Sequence, residues 1–274
     1  MTINLNDGRT PQMRVLFGKL IQHFPDSLYI YFKNWELRLR GEDIRLKKQG
    51  INIIVTEQGE FWTTHRKRVH LYSSGLMRRG ESIGKSYLLS EINFRPGDFI
   101  VDCGANMGDL ILYFKSRSIS IDYLGFEPNP IDHVCLSVNS ISSGGSKNLA
   151  LWNSTSEMIF YVDTESASSS LIEPPFYTEK IRVPAARLDS LEFPKKIKLF
   201  KVEGEGAEPE ILEGAKGLFS SIEYIAVDAG PERGINQTPT RDDVLKVLAN
   251  SDFELVMENP FHRKTLLFRN KNYS

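Results

Sequence analysis

The sequence predicts an α/β fold: a mostly parallel sheet covered by helices on both faces, with an antiparallel C-terminal hairpin and a small N-terminal α/β extension. Three observations carry this. From Phe99 onward short apolar runs alternate with helix-like segments. The first run, Phe99-Ile100-Val101, ends in a glycine-rich turn, and the last two, Phe253 to Met257 and Thr265 to Phe268, flank Asn259-Pro260 as a reversed strand pair.

Residues 1–80 read as a separate layer, and residues 81–274 as the main domain. The extension opens on Met13 to Ile21, whose apolar spacing is helical. Ile51 to Val55 and Glu60 to Trp62 follow as strands on either side of the turn Gln58-Gly59. A helix over Ile83 to Ile92, placed where it could cover a ligand mouth, carries Tyr87, which on an amphipathic helix is more often core than a ligand contact, and feeds the turn Arg95-Pro96-Gly97-Asp98 and then the first main strand. Asp109 to Lys115 is helical, Ile121 to Phe126 a second strand, Ile131 to Asn139 a helix and Ser142 to Ser146 a loop. A third strand is expected around Asn148 to Leu151, and Glu157 to Val162 can pair with Ile181 to Val183 across a loop through Ser166 to Ser170 and Pro174-Pro175. Ile197 to Val202 is the fourth strand. Pro209 suits the first turn of the helix that follows, with Ile211, Leu212, Ala215, Leu218 and Phe219 as its buried stripe. Tyr224 to Val227 is the fifth strand, and Thr240 to Asp243 resembles a capping box opening the last helix.

Composition bounds the class. Apolar residues at 41% and charged residues at 25% suit a globular protein. No apolar run reaches the ~18 residues of a membrane span, and the start lacks the order of a signal peptide, so a cytoplasmic location is expected. Cys103 and Cys135 are expected as free core thiols, and no His or Cys cluster has metal-ligand spacing. The net charge of −1 conceals an asymmetry: residues 1–98 hold 16 Lys and Arg against 10 Asp and Glu, the remainder 18 against 25. The basic clusters Arg38-Leu39-Arg40, Lys47-Lys48, Arg66-Lys67-Arg68 and Arg78-Arg79 best suit a solvated surface or docking of this segment on the acidic main domain, with a phosphate-bearing substrate, a membrane surface or an acidic partner as alternatives. Nucleic acid is disfavoured, since no binding module or aromatic interleaving accompanies the charge.

The chemistry concentrates at Asp102-Cys103-Gly104-Ala105-Asn106-Met107-Gly108, the pattern Asp-x-Gly-x-Asn-x-Gly at a strand end. Such turns hold nucleoside cofactors. Glycine at 104 would let the backbone approach a ligand, and Asn106 tolerates the left-handed conformation. A dinucleotide fingerprint would require glycine at 106 and 109, where this chain has Asn106 and Asp109. Two acids suit an amine or a sulfonium better than a pyrophosphate, which points to S-adenosylmethionine. Glu127, closing the second strand before Pro128-Asn129-Pro130, is placed to bind both ribose hydroxyls. At the fourth strand's end, Glu203 and Glu205 are the candidates for a general base, with Lys201 and Asp228 as lesser ones. The same acids equally suit the positive end of the following helix.

Four ordered blocks carry a resemblance. Gly97 to Asn106, Phe126-Glu127-Pro128-Asn129, Leu188-Asp189-Ser190-Leu191 and Lys201 to Glu208 resemble the FkbM-type S-adenosylmethionine-dependent methyltransferases, over roughly Tyr72 to Phe268. The resemblance implies a class I, Rossmann-like methyltransferase fold with S-adenosylmethionine as cofactor. It implies Asp102, Gly104, Ala105, Asn106 and Gly108 around its methionine part, and Glu127, with Pro128 and Asn129 behind it, on the ribose. It also implies transfer to a hydroxyl of a saccharide, glycan precursor or related natural product, with contact to membrane-linked glycan intermediates. The chain departs from the family's Lys-x-Asp-x-Glu-Gly at Glu203 and Gly204, and has Asp228 where a glutamate is commoner. Those departures leave open a cofactor-binding partner protein without turnover, and Asn106 and Asp109 weigh against the remaining alternative, a nicotinamide-dependent oxidoreductase.

Overall fold

A computed structural model describes residues 21–164, 169–259 and 264–273. The helix expected over Met13 to Ile21 lies outside these except for Ile21, as do Ser166 to Ser168 of the expected substrate loop. The chain divides into two compact units, residues 1–75 and 76–274.

In the first unit, helix α1 (Asp26–Leu39) precedes an antiparallel sheet of β1 (Ile44–Gln49), β2 (Asn52–Glu57) and β3 (Glu60–Thr64). The turn at Gln58 and Gly59 has positive φ at both positions, 49° and 86°, which suits the right-handed twist of a tight hairpin. Asn34 of α1 both donates to and accepts from the backbone of Leu46, occupying polar groups on the outer edge of β1. Neither α1 nor β1 was expected from the sequence. The polar run Arg45-Leu46-Lys47-Lys48 masks a strand that buries only Ile44 and Leu46.

The second unit is built on a seven-stranded sheet. Its strands are β4 (Phe99–Cys103), β5 (Asp122–Phe126), β6 (Gly144–Lys147), β10 (Ile197–Val202), β11 (Ile222–Asp228), β14 (Phe253–Glu258) and β15 (Thr265–Asn270), in the order β14-β15-β11-β10-β4-β5-β6. Pairing is parallel from β11 through β6, and β15 runs antiparallel to both β11 and β14. Every residue of β4 is buried, as are five of the six in β10; the apolar run Phe99-Ile100-Val101 opens β4, whereas Lys198 and the buried Lys201 interrupt β10. Helices α2 (Leu76–Ser86), α3 (Asp109–Ser116), α4 (Pro130–Asn139), α5 (Glu208–Glu213) and α6 (Arg241–Ala249) flank the sheet. The core unites Val101, Phe126, Phe200, Val202, Ile225 and Leu266.

Three expectations are corrected. The third strand of the main sheet is Gly144–Lys147, in the stretch read as a loop; a Cβ at Gly144 would meet the Tyr123 carbonyl oxygen at 2.3 Å, so only glycine admits this approach. Ala150–Leu151 forms β7, which joins β8 (Ser156–Val162) and β9 (Glu179–Ala186) in a separate three-stranded sheet, and β12 (Pro231–Arg233) pairs with β13 (Thr238–Pro239) in a two-stranded one. The hairpin expected between β8 and β9 is present, pairing Ile159 with Arg182. Finally, the helix expected from Ile83 to Ile92 begins earlier and ends at Ser86, broken by Leu88 at φ 57° before a short 3-10 turn over Leu89–Glu91.

Candidate active site

The carboxyl ends of β4, β5, β10 and β11 bring Asp102, Glu127, Glu203 and Asp228 to one edge of the sheet. This edge is where open α/β sheets hold ligands. Asn106 and Gly108 take the left-handed conformation the turn demands, at φ 51° and 88°. Asn106 accepts from its neighbour Met107 N at 3.1 Å, and Ala105 N is tied to Phe126 O at 3.0 Å.

Gly104 has a further reason beside the approach to a ligand that the sequence suggests. Its φ is 66°, and a Cβ would stand 2.1 Å from the carbonyl oxygen of Glu203. Glycine is therefore required by the close approach of the β10 end to the β4 turn, a tertiary contact that local sequence does not show.

Glu127 is buried, and each of its oxygens accepts one backbone N–H: Oε2 from Asn106 and Oε1 from Asn129, both at 2.8 Å. Asn129 also caps α4, accepting from Ile131 N at 3.0 Å with Pro130 in the first turn. Asn148, unforeseen in the sequence, donates to the carbonyls of Glu127 and Pro128 and fixes that loop from the far side. Burial and then the charge of Asp132 push Glu127 up to about 8, against the two amide bonds, which favour its charged form. Each oxygen retains a second lone pair, so the pair can still accept from a vicinal diol.

Asp102 is buried and accepts from the Tyr123 hydroxyl at 2.7 Å. Its Oδ1 lies 3.0 Å from Lys201 Nζ, at ion-pair distance but without hydrogen-bond alignment. The Lys201 ammonium, on β10, donates instead to Cys103 O at 3.1 Å and Gly104 O at 2.8 Å, and stands 2.9 Å from Glu203 Oε2 and 5.2 Å from the centre of the Tyr87 ring. Burial alone would lower the pKa of Lys201, but Asp102 and Glu203 outweigh it and raise it above the ordinary value. The two carboxylates favour the charged form of Lys201, which weighs against it as a base. Asp102 is raised by burial, with Lys201 opposing.

Glu203 and Glu205 are both half-buried, and Glu205 takes a left-handed φ of 50°. Ser170 donates to Glu205 O at 2.9 Å, and Arg233 to Gly206 O at 2.6 Å while pairing with Glu210. Glu208 proves structural: it is buried, accepting from Gly204 N at 2.8 Å and Gly206 N at 3.1 Å through Oε1 and from the Thr240 hydroxyl at 2.9 Å through Oε2. Thr240 therefore does not cap its own helix, as the capping-box reading expected; its hydroxyl is spent on a carboxylate 32 residues away. Asp228, the lesser candidate, is buried at the end of β11. Cys103 and Cys135 are buried and unbridged. Among the described residues no group of three or more His, Cys, Asp or Glu is arranged to hold a metal ion, and no helix is long and apolar enough to cross a membrane.

The donor set fits S-adenosylmethionine. Two carboxylates around one ammonium leave negative charge beside the glycine turn for an amine or sulfonium, and Glu127 offers paired acceptors for a ribose diol. The sheet order, with its reversed strand one place in from the edge, is the class I methyltransferase arrangement. The model of the Methyltransferase FkbM domain matches residues 102–267. The chain belongs to that family, and is an S-adenosylmethionine-dependent methyltransferase.

Among curated proteins none matches this chain. Solved structures resemble it distantly. A protein of the NADB-Rossmann superfamily from Streptococcus agalactiae is 13% identical, with 72% of this chain and 69% of that one covered at a TM-score of 0.45. A SAM-dependent methyltransferase from Aquifex aeolicus is 10% identical, with 71% and 98% covered at 0.41. A ribosomal protein L11 methylase from Lactobacillus delbrueckii subsp. bulgaricus is 11% identical, with 72% and 77% covered at 0.40.

Proposed function

We propose that this methyltransferase acts on oxygen, methylating a hydroxyl of a saccharide or glycan precursor. The observation that carries the oxygen reading is the placement of Glu203 and Glu205. The β10 end meets the glycine turn directly, with Glu203 N donating to Cys103 O at 3.2 Å and the Glu203 carboxylate 2.9 Å from the Lys201 ammonium that binds the turn's carbonyls, and Glu205 follows two residues on in the same loop. An attacking hydroxyl needs a proton acceptor, and a carboxylate in hydrogen-bond reach supplies one. The saccharide reading is supported by the family blocks quoted from the sequence.

When bound, the cofactor supplies an electrophilic methyl group on a sulfonium. In this reading the turn Asp102 to Gly108 holds the methionine part, Glu127 accepts from the ribose hydroxyls, and Pro128-Asn129 sets the loop beside it. Glu205 takes the acceptor's proton. Glu203, paired with Lys201, orients the acceptor hydroxyl towards Glu205. Positioning of this kind supplies much of the rate of a bimolecular transfer. The reading also places the protein in the cytoplasm beside membrane-linked glycan intermediates, supported by the basic clusters within residues 1–98. Incubation with isotope-labelled S-adenosylmethionine and separated glycan, protein and small-molecule fractions, followed by mass analysis, tests the acceptor. Label on a glycan hydroxyl is expected; label confined to protein or to nitrogen would overturn the reading.

A further inference from the structure

We infer that Glu208, together with Thr240, is a positioning residue for methyl transfer: it templates the loop that carries Glu203 and Glu205 without touching cofactor or acceptor. The inference rests on the proposed role of that loop. Its basis is the geometry around one buried carboxylate, only 1% exposed. Oε1 gathers the amides of Gly204 and Gly206, one on each side of Glu205, while Oε2 takes the hydroxyl of Thr240 at the start of α6.

That arrangement explains an otherwise unfavourable conformation. Glu205 is a non-glycine residue at φ 50°, followed by Gly206 at φ 99°, where a Cβ would stand 2.5 Å from the Arg233 Cα. Left-handed backbone at a non-glycine residue persists only when its surroundings over-determine it. Here two amides flanking the residue converge on a single buried oxygen. Ser170 and Arg233 hold the carbonyls of Glu205 and Gly206 from the opposite side. The loop is thus fixed through amides by Glu208 and through carbonyls by two other segments. The backbone that carries the Glu205 side chain is thereby fixed on both sides.

The ribose side of the site is held independently, by Glu127 through Asn106 and Asn129. Loss of the Glu208 template should therefore reach turnover and spare cofactor affinity. The test uses the full chain with Glu208→Ala, Glu208→Gln and Thr240→Val. Three readouts are taken: kcat and KM with the glycan fraction, S-adenosylhomocysteine affinity by calorimetry, and amide hydrogen exchange over the loop. Glu208→Ala should lower kcat about tenfold or more and speed exchange at Gly204 and Gly206 by a similar factor, with affinity within about twofold of wild type. Glu208→Gln should restore both, since its carbonyl oxygen can accept the two amides while its NH2 donates to the Thr240 hydroxyl. Thr240→Val, removing a single bond, should give a smaller loss of the same kind, and decides the matter if Glu208→Ala does not fold.

Wild-type kcat in Glu208→Ala, or in Thr240→Val should the alanine variant not fold, would overturn the inference. So would a loss of affinity parallel to the loss of turnover. Absence of glycan methylation by the wild type would instead count against the proposed function, and the exchange measurement would still read the template.

Discussion

Gly104→Ala separates close packing from backbone conformation, because the same domain contains a glycine with one constraint but not the other. Gly97, at the third position of the turn Arg95 to Asp98, has φ 84° and no atom within 4 Å of where a Cβ would stand. Alanine there incurs only the left-handed penalty, about 1–2 kcal/mol. At Gly104 the same penalty applies, but the new methyl also stands 2.1 Å from Glu203 O. Backbone is on both sides, so no side chain can swing away. The two strand ends must part by about 1 Å, an overpacking cost of about 1–3 kcal/mol. The bond from Glu203 N to Cys103 O, already 3.2 Å long, is then lost for about 1 kcal/mol more. Gly104→Ala should therefore cost about 3–6 kcal/mol against about 1–2 for Gly97→Ala. Denaturant unfolding of both variants gives the comparison, and calorimetry with S-adenosylhomocysteine shows whether binding is lost only in the first. Equal stability losses would refute the assignment of Gly104 to the β4–β10 contact.

Other substitutions bear on separate groups. Glu127→Ala should weaken S-adenosylhomocysteine at least about tenfold, while the two abandoned amides cost about 1–3 kcal/mol each without unfolding the domain; unchanged affinity removes Glu127 from the ribose. Glu127→Gln should also be impaired, unlike Glu208→Gln, because the amides it serves bind different oxygens and the new NH2 would face an N–H. Glu205→Gln should lower turnover about 10²-fold or more with cofactor affinity intact, and full turnover would strike it from the mechanism. On pH, burial raises Glu208 to about 7 and Glu127 to about 8, from an ordinary 4.5. The folded chain then holds more protons than the unfolded chain within that window. Their stabilising contribution is complete below pH 4.5 and is lost as pH rises to about 7 and 8. Unfolding free energies at several pH values should show a flatter slope in Glu208→Gln than in wild type; identical slopes would contradict the assignment.

The central strands were legible in the sequence because parallel strands buried on both faces leave unbroken apolar runs, as in Phe99 to Val101 and Tyr224 to Val227. β6 was not, since Gly144-Gly145-Ser146-Lys147 carries no apolar side chain and is defined by its hydrogen bonds to β5. The acids of the site were legible from their places at strand ends. Their partners were not: Tyr123 on Asp102, Asn148 on the Glu127 loop and Thr240 on Glu208 are long-range pairings, and a local reading assigns each side chain to its own element. Thr240 shows the limit well, because a threonine before Arg241-Asp242-Asp243 has the composition of a helix cap whatever its hydroxyl binds.

The two halves of the site are held by separate devices, which makes their junction the informative place to perturb. Glu127 fixes the β5 side and Glu208 the loop after β10; the Lys201 ammonium lies at the junction, reaching both the Cys103 and Gly104 carbonyls and the carboxylates of Asp102 and Glu203. Lys201→Met fills similar space but leaves two acids, at 1% and 19% side-chain exposure, without their cation. Breaking a buried pair from one side costs about 3–5 kcal/mol, less here to the extent that water reaches Glu203. If Lys201 is the joint, Lys201→Met lowers cofactor affinity and turnover together, whereas the Glu127 and Glu208 variants each move chiefly one of them. Unfolding, calorimetry and turnover measured on the three variants separate the cases. A Lys201→Met protein that loses stability while keeping both Kd and kcat would show that the ammonium secures only the strand ends, leaving the alignment of cofactor and acceptor to the two loops themselves.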